Sequence, residues 1–204
     1  MTRPPEFEPP YESPVEEQFA WTFHKLLNPE CDFRKQHEVV TTRGRFRLDF
    51  MLVTRGGRRL GIEIDGKDFH SYRRDAWRDA MILGERHADV ILRFAARDIY
   101  YRLFDAIAVI RYLYPEVFNR HQVLAVDRLV SPEVEEQVRE APEFIWVRYD
   151  GEELSDGSPI EMLVSHEGHT DSSSALWKEH YAFARKHPEI ALDRLHDACR
   201  DQAS

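Results

Sequence analysis

Two alternating runs joined by glycines, residues 45–65, constrain the fold of this chain more than any other stretch. Phe46, Leu48, Phe50 and Leu52 alternate with Arg45, Arg47, Asp49 and Met51, the period of a strand with one buried face. Leu60, Ile62 and Ile64 alternate in the same way with Gly61, Glu63 and Asp65, and Arg55-Gly56-Gly57 supplies the permissive backbone of a turn. A hairpin centred on Gly56 sets Asp49 opposite Glu63. Directly opposed side chains sit about 4.5–5.5 Å apart at Cβ, where like charges repel. A divalent cation bound by hard carboxylate oxygens would offset that repulsion.

The flanking sequence reads as an α/β chain. Residues 1–12 hold four prolines and are expected to be an extended lead-in. Ser13 as N-cap, Pro14 at the first helical position and Glu16 at the third predict a helix start with a capping box. Val15, Phe19, Phe23, Leu26 and Leu27 form its apolar stripe, and Asn28-Pro29 ends it. A strand over 33–41 and a turn at Thr42-Arg43-Gly44 lead into the hairpin. A helix over 71–87, a strand over 89–94 and a helix over 100–114 follow, closed by Pro115. That order predicts an α/β sandwich around a mixed sheet over 13–120.

Beyond residue 120 the chain turns acidic, and 121–204 is expected to be an α+β C-terminal extension. Its elements are a strand over 123–130, a helix from Ser131-Pro132, a hairpin of 144–149 with 160–164, and helices over 174–185 and 189–199. His166-Glu-Gly-His169 reads as a loop, and Trp77, Trp146 and Trp177 as core or interface residues.

At 204 residues, 42% hydrophobic and 32% charged, the composition is that of a globular protein. No run approaches the roughly 18 apolar residues of a membrane span, and the amino terminus does not resemble a signal peptide. A cytoplasmic protein with no membrane partner is expected. Cys31 and Cys199 form no paired motif and are expected to be thiols. The net charge of −9 is unevenly placed: residues 31–120 hold 18 Lys and Arg against 13 Asp and Glu, the remainder 10 against 24. The basic residues of the middle are nearly all arginines, suited to phosphate. Solvated helix and hairpin faces would look the same.

Asp49, Glu63 and Asp65 share a sheet face if the alternation holds, and Glu16 can approach from the first helix. Converging carboxyls raise one another's pKa values, which a cation relieves. An oxygen-only set suits Mg²⁺ or Mn²⁺ better than zinc. Phosphodiester hydrolysis is the chemistry that fits. Each residue also has an ordinary reading: Glu16 as a capping residue, His70 as a surface histidine, and the Arg74, Asp75, Arg78, Asp79 series as a solvent face of ion pairs. A sharper reading lets Asp79 orient His70 and an arginine touch phosphate.

A set of motifs in order, Phe33-Arg-Lys-Gln36, Arg47-Leu-Asp49-Phe, Gly61-Ile-Glu63-Ile-Asp65-Gly66, His70, Arg74-Asp75-Ala-Trp-Arg78-Asp79 and Leu92-Arg93-Phe94, resembles the PD-(D/E)XK nuclease superfamily. The resemblance is to its branch related to very-short-patch-repair endonucleases, the DUF559-type group, and covers roughly residues 13–113. It implies a restriction-endonuclease-like fold and a Mg²⁺- or Mn²⁺-dependent endonuclease acting on DNA, in repair or in defence against foreign DNA. It implies Asp49 and Glu63 as metal ligands and Glu16 as the helix glutamate completing the metal's contacts. Asp65 stands where the superfamily usually has lysine, as in the related branch. Lys67 and His70 are the nearby candidates for handling the proton of the attacking water, with His70 preferred for its unperturbed pKa near 6.5. Gln36, Arg45, Arg47, Arg74 and Arg78 are the expected contacts to nucleic acid. The oligomeric state stays open, a homodimer included.

Two other functions compete with the nuclease. One is a nuclease-like scaffold that binds nucleic acid or protein without cutting. The other is a nuclease held in check by its acidic C-terminal region acting as a DNA mimic.

Overall fold

The computed structural model describes residues 11–66, 72–124, 126–140, 144–153, 157–170 and 173–202. It is an α/β arrangement with helices on both faces of a six-stranded mixed sheet of order β1-β2-β3-β4-β6-β5. The strands are β1 (Asp32–Thr41), β2 (Gly44–Val53), β3 (Arg59–Asp65), β4 (Val90–Ala95), β5 (Phe144–Glu153) and β6 (Pro159–Gly168). The helices are α1 (Pro14–Leu26), α2 (Tyr72–Gly84), α3 (Ala96–Leu113), the single turn α4 (Arg120–Val123), α5 (Pro132–Glu140), α6 (Leu176–Lys186) and α7 (Leu195–Gln202). β3 and β4 are the parallel pair, with α2 as their crossover; the other neighbours are antiparallel. Among the described residues no helix is long and apolar enough to cross a membrane.

Helix α1 starts as its sequence dictates: the amide of Glu16 donates to Ser13 Oγ at 3.2 Å, with Pro14 at the first helical position. Its buried Phe19, Phe23 and Leu26 join α3, α5 and one face of the sheet in the larger core, where Phe50, Leu52, Ile62, Leu92 and Val164 also lie. α2 and α6 cover the other face over Leu48, Met51, Ile91 and Trp177. α7 closes over Trp77, Met81 and Ala184 through Leu195.

The hairpin register is the one the alternation predicts. Phe50 pairs with Ile62 and Leu52 with Leu60, so Asp49 and Glu63 fall opposite each other one step past the end of the ladder. The single buried face expected for Phe46, Leu48, Phe50 and Leu52 is a correction. Phe46 and Leu48 pack with Met51 under α2, whereas Phe50 and Leu52 pack under α1. The pleat therefore changes phase at Asp49. The neighbouring strand is irregular at the same place: Gln36 adopts a left-handed conformation (φ 48°), and the ladder of β1 and β2 omits the pair Gln36 with Asp49. Left-handed backbone is uncommon for a non-glycine residue and clusters where a chain serves a site.

The composition changes at residue 120, but the sheet runs through that point. β6 pairs with β4 and carries β5 at the edge, so the acidic region supplies two strands of the sheet. Three details correct the sequence reading there. Val123 ends α4 and Asp127–Leu129 form a 3-10 turn, in place of the expected strand over 123–130; Val123, Val126 and Val130 recur at helical spacing and pack on the larger core. His166 and Glu167 lie on β6 rather than in a loop, and His166 Nε2 is 2.6 Å from the Tyr114 hydroxyl. Trp77 and Trp177 are buried, but Trp146 is 51% exposed on the edge strand.

Candidate metal and phosphate site

The site forms where β2 and β3 part beyond the Phe50 and Ile62 pair. Asp49 turns sideways there and accepts from the Ile64 amide through Oδ2 at 2.8 Å, taking the place of a ladder bond. Glu63, only 4% exposed, lies beside it on β3, and the two carboxyl groups share a hydrogen bond. Burial is the largest cause raising both pKa values, that of Glu63 well above the usual carboxylate range, and each group also raises or is raised by its acidic neighbours.

Glu16 approaches from α1, and its charge is felt at Asp49. Its Oε1 accepts from Ser13 Oγ at 2.8 Å, and its Oε2 accepts from the Glu12 amide and Gln36 Nε2, both at 3.0 Å. Capping and facing the site therefore coexist in one side chain. Burial raises its pKa, and the bonds from Ser13 and Gln36 act against that. The left-handed turn at Gln36 aims its side chain at Glu16, while its Oε1 is buried with no hydrogen-bond partner among the described residues. An unsatisfied buried carbonyl oxygen is costly and marks a place for a ligand or water.

Arg78 of α2 donates from Nη2 to Glu63 Oε1 at 2.7 Å and approaches Asp79 through Nε at 3.4 Å. Deeper in, Arg93 of β4 donates to Asp79 through Nε at 2.5 Å and Nη2 at 2.8 Å, and to Asp65 through Nη1 at 2.8 Å. The buried Asp79 carboxyl is held below its ordinary pKa, desolvation being outweighed by these two guanidinium groups. Glu167 on β6 faces the same cluster. Burial first, then the charge of Asp79, push it up to about 7 against the pull of Arg93, and its Oε2 has no hydrogen-bond partner among the described residues.

Of the residues singled out from sequence, Glu16, Gln36, Asp49, Glu63, Asp65 and Arg78 come together. Asp65 faces Arg93, on the strand beside β3, and Arg78 faces Glu63 rather than solvent. Arg45 and Arg47 lie further along β2, both exposed, with Arg47 ion-paired to Glu12. Lys67 and His70 lie outside the described residues, and Arg74 is on α2 with its side chain outside them. Asp79, expected to orient His70, has both oxygens engaged by arginines. The hairpin-tip arginines bind protein: Arg43 donates to the Ala184, His187 and Ile190 carbonyls at the end of α6, and Arg55 and Arg58 pair with Glu30 and Glu116.

Sequence reading missed Arg93 and Glu167 as members of the site. The signal for the first was present: one arginine within the apolar run Val90–Phe94 requires a buried counter-ion.

The donor set has the chemistry a hard cation takes, although its placement closes no ligand set among the described residues. All are oxygens, the described cluster holds six carboxyl groups against the guanidinium groups of Arg78 and Arg93, and the Gln36 carbonyl is unsatisfied. As placed, no three His, Cys, Asp or Glu side chains among the described residues stand close enough together to hold an ion. Comparison with protein-family models, with curated proteins and with solved structures returns no match.

Proposed function

We propose that this chain is a metal-dependent DNA endonuclease of restriction-endonuclease-like fold, with Glu16, Asp49 and Glu63 as the residues that bind Mg²⁺ or Mn²⁺. The observation that carries this reading is the pairing of Asp49 from β2 with Glu63 from β3 at the parting of the central strands, with Glu16 of α1 near enough for its charge to act on Asp49 and all three carboxyl pKa values raised. When bound, the metal lowers the pKa of a water and neutralises charge developing on the phosphate. Gln36, through the oxygen left without a partner, positions that water or the phosphate. His70 or Lys67 takes the proton as the water oxygen bonds to phosphorus and the bond to the leaving deoxyribose oxygen breaks, that oxygen taking a proton from solvent water. Arg45, Arg47 and Arg74 meet the DNA backbone.

Purified protein should nick supercoiled plasmid with Mg²⁺ or Mn²⁺ and not with EDTA. Asp49→Asn and Glu63→Gln should each lower the rate by at least about 10²-fold, because even the outer partners of metal ligands are worth 10–100-fold. Cleavage undiminished in both folded variants would refute the assigned site. One observation favours a second reading, a scaffold that binds without cutting: Asp65, at the position of the superfamily's lysine, is held by Arg93. Metal binding dependent on Asp49, without cleavage of any DNA tested, would establish that reading instead.

A further inference from the structure

Arg78 and Arg93 both face the carboxyl cluster, but they are held very differently. Arg93 is locked. Its side chain is 9% exposed, and three of its nitrogens are engaged, two by Asp79 and one by Asp65. Arg78 is 18% exposed, with one short bond to Glu63 at 2.7 Å and a longer approach to Asp79 at 3.4 Å. Asp79 already receives two bonds from Arg93, so it would stay satisfied if Arg78 left. Glu63 would not. Arg78 occupies its Oε1, and Asp49 shares a hydrogen bond with the carboxyl group.

We infer that Arg78 is a resident counter-ion of Glu63 which competes with the metal for the Glu63 carboxylate and swings away when the metal binds. This rests on the metal reading of the site and adds a residue that sets its affinity. Glu63 is turned to an arginine, and a cation must displace that arginine before Glu63 and Asp49 can share it. The exchange is electrostatically feasible because a divalent ion replaces a single positive charge, and the Arg78 side chain, 18% exposed, already reaches solvent.

Calorimetric titration with Mn²⁺ alone tests the inference on the parent, Arg78→Gln, Arg78→Lys and Asp49→Asn proteins. Arg78→Gln should bind Mn²⁺ on the order of tenfold more tightly than the parent, the scale of one charge-assisted hydrogen bond no longer displaced. Arg78→Lys keeps the competing charge and should stay near the parent, while Asp49→Asn should lose binding. If the parent binds through Asp49 and Arg78→Gln binds no more tightly, the competition is refuted and the metal reading stands. If no protein binds Mn²⁺, both fall.

A measurement on the parent fold covers the case in which Arg78→Gln does not fold. With ¹⁵N-labelled arginine, the Arg78 guanidinium signals should shift and gain rotational freedom at saturating Mg²⁺, and should not change in Asp49→Asn. Signals unchanged by Mg²⁺ in the parent would overturn the inference.

Discussion

Glu167 shows how a single buried group can tie this fold to pH. Its folded pKa of about 7 lies above the unfolded value near 4.5, so between those values the native state holds a proton the unfolded state has lost. Stability from this group is full below about pH 4.5 and falls as pH rises, by up to about 3 kcal/mol through pH 7. Asp79 and Arg93 are the charged groups that face it, the first opposing ionisation and the second favouring it. Glu167→Gln keeps the shape and removes the titration. The variant should therefore gain on the parent from about pH 4.5 to 7 and be more stable by about 1–3 kcal/mol at pH 8. Urea denaturation at pH 5 and pH 8 measures this; a stability difference that does not change between the two would contradict it.

The elements were legible in the sequence where the signal is local. Caps and period gave α1, and alternation around Gly56-Gly57 gave the β2 and β3 register that opposes Asp49 to Glu63. What stayed hidden depends on a neighbour. The pleat change at Asp49 lies opposite the left-handed Gln36 on another strand, and the buried Arg93 takes its partners from α2 and β3. A second non-local requirement joins α2 to α6. A Cβ on Gly84 would lie 2.3 Å from the Tyr181 ring, so the two helices meet at their close approach only because this residue is glycine. Alanine normally favours a helix by up to about 1 kcal/mol over glycine, yet overpacking costs about 1–3 kcal/mol. Gly84→Ala should thus lower the melting temperature, and a rise would show that the ring moves aside freely.

Across the whole molecule, the division by charge and the division by structure do not coincide. The acidic half contributes β6, which pairs with β4 beside the site and brings Glu167 to it. Removing 121–204 would strip β4 of a neighbour, so the role of the acidic region has to be tested in the full chain. A long-range strand pairing of this kind leaves no periodic trace in sequence, unlike the hairpin itself. The excess of carboxyl groups over guanidinium groups at the parting of β2 and β3 is the property on which the functional reading depends. Anomalous diffraction from a crystal soaked in Mn²⁺ tests it most directly. The expected result is a peak bounded by Asp49 and Glu63, with Glu16 facing it and Arg78 moved off Glu63. A map at saturating Mn²⁺ with no peak there, and with Arg78 still bound to Glu63, would contradict the account.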